Sequence, residues 1–156
     1  MKAVEKRMGL PAIIAAIVER QGEIDVTCYG DAMFPLMREG NISTFSRVNE
    51  KELRPGDVCL YASVDGELLI ERIVYVEKAM NATQYTFRGD TSRLRRAPVD
   101  FTSIIGRLKA IHRDGRIVYV YGWQARLLEA AALQLPLWPN LARFAAKRRY
   151  RRREVI

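Results

Sequence analysis

Residues 30–41 read Gly30-Asp31-Ala32-Met33-Phe34-Pro35-Leu36-Met37-Arg38-Glu39-Gly40-Asn41, an apolar stretch set between two strand-like segments. On its N-terminal side Ile24, Val26 and Cys28 alternate with Asp25, Thr27 and Tyr29, the period-two pattern of a half-buried strand. On its C-terminal side residues 42–48 form the next strand candidate, followed by 58–63, 67–77, 83–88, 104–112 and 116–121. Asp65-Gly66 and Asp114-Gly115 read as hairpin turns. Pro55-Gly56-Asp57 reads as a further turn. Short strands at this spacing predict a mainly β body.

Helical patterns flank that body. Leu10, Ile13, Ile14, Ile17 and Val18 recur at helical spacing, with Pro11 suited to a first turn and Gly22 to a stop. A helix over about residues 9–21 follows. From Trp123 the pattern turns helical again, with Leu127, Leu128, Ala131 and Leu135 on one face. Pro136 and Pro139 interrupt it, and residues 140–153 form a second short helix. The chain therefore divides into a body, residues 1–122, and an amphipathic, basic C-terminal helical arm, residues 123–156.

The chain has 156 residues, 49% hydrophobic and 28% charged, with a formal net charge of +8. That is one domain's length with room for one appended arm. A soluble chain of this size buries roughly two thirds of its unfolded surface, so it has a real core. Fibrous and fully disordered chains are excluded. One histidine excludes a multi-His metal site, and nothing in the sequence calls for a metal or a cofactor. Cys28 and Cys59 read as buried thiols of a reducing compartment, with one disulfide between them as the alternative.

The charge is concentrated at one end. Residues 141–156 hold seven basic residues and one acid, Glu154, whereas residues 1–140 hold 19 basic and 17 acidic residues. The body is nearly balanced and the arm is the basic object. The longest apolar run, residues 9–18, is about half the roughly 20 residues that a membrane span needs. Glu19 and Arg20 follow it, and no small-x-small cleavage site is present, so it is also a poor signal peptide. A cytoplasmic location is expected.

The opening stretch belongs to an ordered set of blocks: Gly30-Asp31-Ala32-Met33-Phe34-Pro35-Leu36, Arg54-Pro55-Gly56-Asp57-Val58, Leu69-Ile70-Glu71-Arg72-Ile73-Val74, Phe87-Arg88-Gly89-Asp90 and Ile105-Gly106-Arg107-Leu108. This set resembles the signal peptidase I and LexA-type serine peptidase superfamily, and most of all its small standalone members. The resemblance spans roughly residues 24–112. It implies a mainly β fold, a serine nucleophile in the first block, and a Lys or His base before the Arg of the third. A base is needed because a hydroxyl is a poor nucleophile until a group within hydrogen-bond reach takes its proton. Asp31, Met33, Phe34, Pro35 and Arg72 are the substrate-binding positions that the resemblance implies, along a groove where a peptide lies as an added strand.

The sequence departs from the family at both chemical positions. Ala32 stands where the nucleophile is expected and Glu71 where the base is expected. Asn41 replaces the usual Asp after Gly40. A methyl group cannot attack a carbonyl, so the chain as written does not cleave peptides by the family's mechanism. Ala32 is either an engineered Ser→Ala change or natural loss; the departures at Glu71 and Asn41 favour natural loss.

Each remaining candidate has a structural alternative. On an extended strand Cys28 would lie roughly 13 Å from position 32, too far to replace the nucleophile without a tight turn. It reads as a core thiol and Thr27 as a surface residue. Glu71 is read as a surface strand residue, as a partner of Arg72 or Arg88, or as a cleft residue that contacts a ligand. His112, near a strand end, reads as exposed and structural. Asp57 and Asp90 read as turn caps. The stretch from Met33 to Met37 reads equally as a buried connection and as the border of a groove.

The expected function is therefore that of a natural pseudopeptidase holding a leader-bearing or secreted peptide in the former catalytic groove, in a binding or scaffold role in peptide maturation or export. The alternative is an inactivated variant of an active serine endopeptidase. A second alternative is a membrane-surface regulator acting through residues 123–156, peripheral at the inner face of the membrane. Packing of the arm's Leu and Trp residues onto the body competes with that reading. Nucleic acid is not an expected partner, because no recognition motif accompanies the tail. Only 23 residues precede the first strand candidate, too few for the DNA-binding domain of a LexA-type repressor.

Overall fold

A computed structural model describes residues 9–120 and 130–153. It opens with helix α1 (Leu10–Gln21), which ends where Gly22 turns left-handed at φ 84° and donates its N–H to the Val18 carbonyl. The strands follow as β1 (Glu23–Thr27), β2 (Ile42–Ser46), β3 (Val58–Ala62), β4 (Leu68–Lys78), β5 (Thr83–Arg88), β6 (Val99–Asp100), β7 (Ile104–Arg113) and β8 (Arg116–Tyr119). Helix α2 (Trp138–Arg153) closes the described chain, and residues 130–134 before it are also helical.

Among the described residues the strands make one antiparallel sheet in the order β1-β2-β7-β3-β4-β5-β6, with β8 paired to β7. The mainly β fold read from the sequence is present, and each strand candidate falls on a strand. β3 is central and four of its five residues are buried, as a strand covered on both faces requires. Bulges between Thr44 and Phe45, Leu60 and Tyr61, and Ile73 and Tyr75 bend the sheet. Two apolar clusters result. One joins Val18 of α1 to Met33, Met37, Phe45, Leu60 and Leu108; the other joins Cys59, Tyr61, Ile73, Tyr85, Phe87 and Val99.

Both cysteines are buried and free, so no disulfide joins them. Trp123, Leu127, Leu128 and the expected boundary at 122/123 lie outside the described residues. Where the arm is described, its fully buried side chains are small, and arginine hydrogen bonds tie it to the body. Ala132, Ala142 and Ala146 are buried, Arg88 donates to the Ala132 carbonyl, and Arg143 donates to the Thr91 carbonyl. The expectation that leucines would pack there is corrected: Leu133, Leu135, Leu137 and Leu141 are exposed and Trp138 is half-buried. α2 begins two residues earlier than expected, because Pro139 falls in its first turn, where no backbone N–H is needed. Among the described residues no helix is long and apolar enough to cross a membrane.

Candidate functional site

The segment around Ala32 is a turn rather than a strand. The chain leaves β1, reverses at Gly30 with φ 73°, and returns through Met33 and Met37, which are buried in the first cluster. Asp31, Phe34 and Pro35 are half-buried, and the Asp31 carbonyl accepts from the Phe34 N–H. Asn41 closes the loop, accepting the Arg38 N–H on its side-chain oxygen at 3.0 Å and the Cys28 N–H on its carbonyl. Asn41 thus supplies acceptors where the turn needs them.

Ala32 itself is exposed and faces the loop after β5. The Thr91 N–H donates to the Ala32 carbonyl at 3.2 Å. Gly89 is what permits this approach: a Cβ there would lie 3.0 Å from the Ala32 oxygen. A small open hollow lies beside Ala32, lined also by Cys28, Tyr29, Gly30, Met33, Met37 and Ile70. Its lining side chains are mostly apolar, with the Tyr29 phenol and the Cys28 thiol as the polar ones, and they fit a small side chain.

Cys28 and Ala32 line the same hollow, on either side of the turn at Gly30. The Cys28 thiol hydrogen-bonds Ser43 at 3.1 Å, and burial raises its pKa. A raised thiol stays protonated near neutral pH and is a poor nucleophile.

Two neighbouring charged residues of β4, Glu71 and Arg72, are buried on opposite faces of the strand. The expectations for Glu71 as a surface residue or a partner of Arg72 or Arg88 are corrected. Tyr61 donates its hydroxyl to Glu71 Oε2 at 2.8 Å, and Arg96 donates Nε to Oε1 at 3.1 Å. The Tyr61 ring stacks on Phe87 at 3.9 Å between centroids. Arg96 arrives from the loop that follows β5 and is half-exposed, so it covers the carboxylate from the solvent side. The residue before Glu71, Ile70, lines the hollow.

Arg72 makes a two-pronged contact with Asp90, Nε to Oδ1 at 2.8 Å and NH2 to Oδ2 at 2.6 Å, and donates NH1 to the Gly56 carbonyl at 2.8 Å. All three nitrogens of its guanidinium are engaged inside the fold, so its role as a substrate contact is not supported. It ties the Pro55-Gly56-Asp57 turn to the Gly89-Asp90 turn, which in turn holds Ala32. Asp90 is thus an ion-pair partner rather than a turn cap. Asp57 does cap its turn, accepting the Arg54 N–H at 3.1 Å. His112 is half-buried against Thr44, which donates to Asp25.

Ile70, Tyr29 and Arg96 are the site residues that sequence reading missed. Alternation along Leu69-Ile70-Glu71-Arg72 carries the signal for Ile70, since only every second residue can face a given side. Nothing local marks Arg96 as the partner of Glu71, 25 residues away. Among the described residues no group of His, Cys, Asp and Glu is gathered as a metal site.

The buried acids at the rear of the site give a pH dependence. Burial pushes the Tyr61 hydroxyl far above the ordinary phenol range, and the hydrogen bond to Glu71 and its charge add to the effect. Burial raises the Cys59 thiol in the same way, with Asp57 adding to it. In the unfolded chain these groups ionise near about 8.5 for the thiol and about 10 for the phenol. Their contribution to stability is full below about pH 8.5 and declines as the pH rises, because the unfolded chain releases protons that the folded protein retains. The urea midpoint should therefore fall between neutral pH and about pH 10.5, and Tyr61→Phe should flatten the upper part of that fall. A midpoint constant across the range would contradict the placement of both groups.

No family model matches the chain, and no curated protein matches it.

Proposed function

We propose that this chain is a signal peptidase-like pseudopeptidase, which holds a leader-bearing or secreted peptide as an added strand beside Ala32 and does not cut it. The observation that carries the reading is the half-open edge of β4 next to the hollow. Residues 68–72 pair with β3, and pairing with β5 begins only at Arg72. Among the described residues, 68–71 thus have a strand partner on one side only. A peptide laid along that edge gains backbone hydrogen bonds, and every second side chain turns toward the hollow. Met33, Met37 and Ile70 favour a small apolar side chain there.

The chemistry favours binding over hydrolysis. Ala32 offers no nucleophile, Cys28 is a buried thiol, and the Glu71 carboxylate is already engaged by Tyr61 and Arg96. A fluorescein-labelled leader peptide with alanine at the expected cut position tests the reading by anisotropy. The unmodified chain should bind it and leave it intact. Ile70→Trp, which fills the hollow, should weaken binding about tenfold or more, roughly 1.4 kcal/mol. Equal binding by both proteins would remove the hollow from the account.

A further inference from the structure

The geometry points to the outward face of α2 as a docking surface for an anionic lipid bilayer. This inference does not rest on the peptide-groove reading. Most helices on a protein surface turn their large apolar residues inward. α2 does the reverse. Its small residues Ala142 and Ala146 are buried, whereas Leu141 and Phe144, and Leu137 just before the helix, are exposed at 58%, 58% and 63%. Leu141 donates its N–H to the Leu137 carbonyl at the helix entry, so positions 137, 141 and 144, spaced by four and three, line up as one stripe. Arg148 continues the stripe and lies over the Phe144 ring, 4.8 Å from its centre.

Arg143, Lys147 and Arg148, all exposed, are the described basic residues of the same helix. In sequence, the last sixteen residues hold seven Lys and Arg and one acid. Arg143 fixes the helix to the loop after β5 by donating to the Thr91 carbonyl at 3.0 Å. That loop carries Arg93, Leu94 and Arg95, and Leu94 is 80% exposed. Exposed leucines and an aromatic among arginines match the acyl boundary and anionic headgroups of a bilayer surface. A nucleic acid would be served by the arginines but has no use for the leucines. A second protein copy would use the leucines but is repelled by the like charge.

The test is co-sedimentation of the full chain with vesicles of phosphatidylcholine alone and of phosphatidylcholine mixed with phosphatidylglycerol. Binding should occur to the mixed vesicles and be weak to the neutral ones. Leu141→Ser with Phe144→Ser should weaken binding to mixed vesicles about tenfold or more, and Arg148→Gln should weaken it severalfold. These side chains are exposed, so a circular dichroism spectrum equal to that of the unmodified chain separates loss of docking from loss of fold. The inference is overturned if mixed vesicles are not bound, or if binding survives the double substitution. It is also overturned if that substitution instead dissolves a dimer in solution, or if a single-stranded oligonucleotide displaces the chain from vesicles in an arginine-dependent, leucine-independent way.

Discussion

Arg72→Ala should destabilise the protein by about 3–5 kcal/mol, the cost of leaving one member of a buried ion pair without its partner. Arg72 and Asp90 are both almost fully buried, and their two contacts of 2.8 and 2.6 Å satisfy each other. Removing the guanidinium strands the Asp90 carboxylate in the interior and frees the Gly56 carbonyl. For a domain of this length that loss lowers the melting temperature by roughly 10 °C or more. Replacing both partners together, Arg72→Met with Asp90→Leu, should cost less than Arg72→Ala alone, because no buried charge is left unpaired. Thermal unfolding of the three proteins checks this order. Equal melting temperatures for Arg72→Ala and the unmodified chain would mean that the pair does not tie the Pro55-Gly56-Asp57 turn to the Gly89-Asp90 turn.

The second large effect concerns catalysis. Ala32→Ser places a hydroxyl in the first block, and it should not confer peptide cleavage. A general base contributes about 10²–10⁴-fold, and serine has little reactivity without one. Glu71 is the residue that the resemblance places at the base position, and its carboxylate is held by Tyr61 at 2.8 Å and Arg96 at 3.1 Å. Incubating the Ala32→Ser protein with the leader peptide and following products by mass spectrometry should give cleavage no faster than with the unmodified chain. Clear turnover by the single substitution would reverse the reading and make the chain an inactivated serine endopeptidase.

The elements were legible in the sequence because each rests on local rules. Alternation in β1 and the Gly22 stop after α1 need only a few neighbouring residues. Alternation also distinguishes Ile70 from Glu71, although it does not say which face carries the hollow. The partners of charged residues were not legible. Arg72 meets Asp90 across 18 residues and Glu71 meets Arg96 across 25, so each depends on how β4 and β5 fold back on one another. The two-residue β6 was missed because so short a strand leaves no periodic pattern. The arm misled for a different reason. Its leucines resemble core residues by composition, yet the described helix buries alanines, and only tertiary packing decides which face turns inward.

The central claim is that a peptide adds as a strand along residues 68–71 of β4 beside Ala32. Amide hydrogen exchange of the unmodified chain, with and without the leader peptide, tests it most directly. Exchange should slow within residues 68–71 and in the turn around Gly30, with β1 and β8 unchanged. A peptide that binds without protecting residues 68–71, or that protects only the loop after β5 and α2, would contradict it.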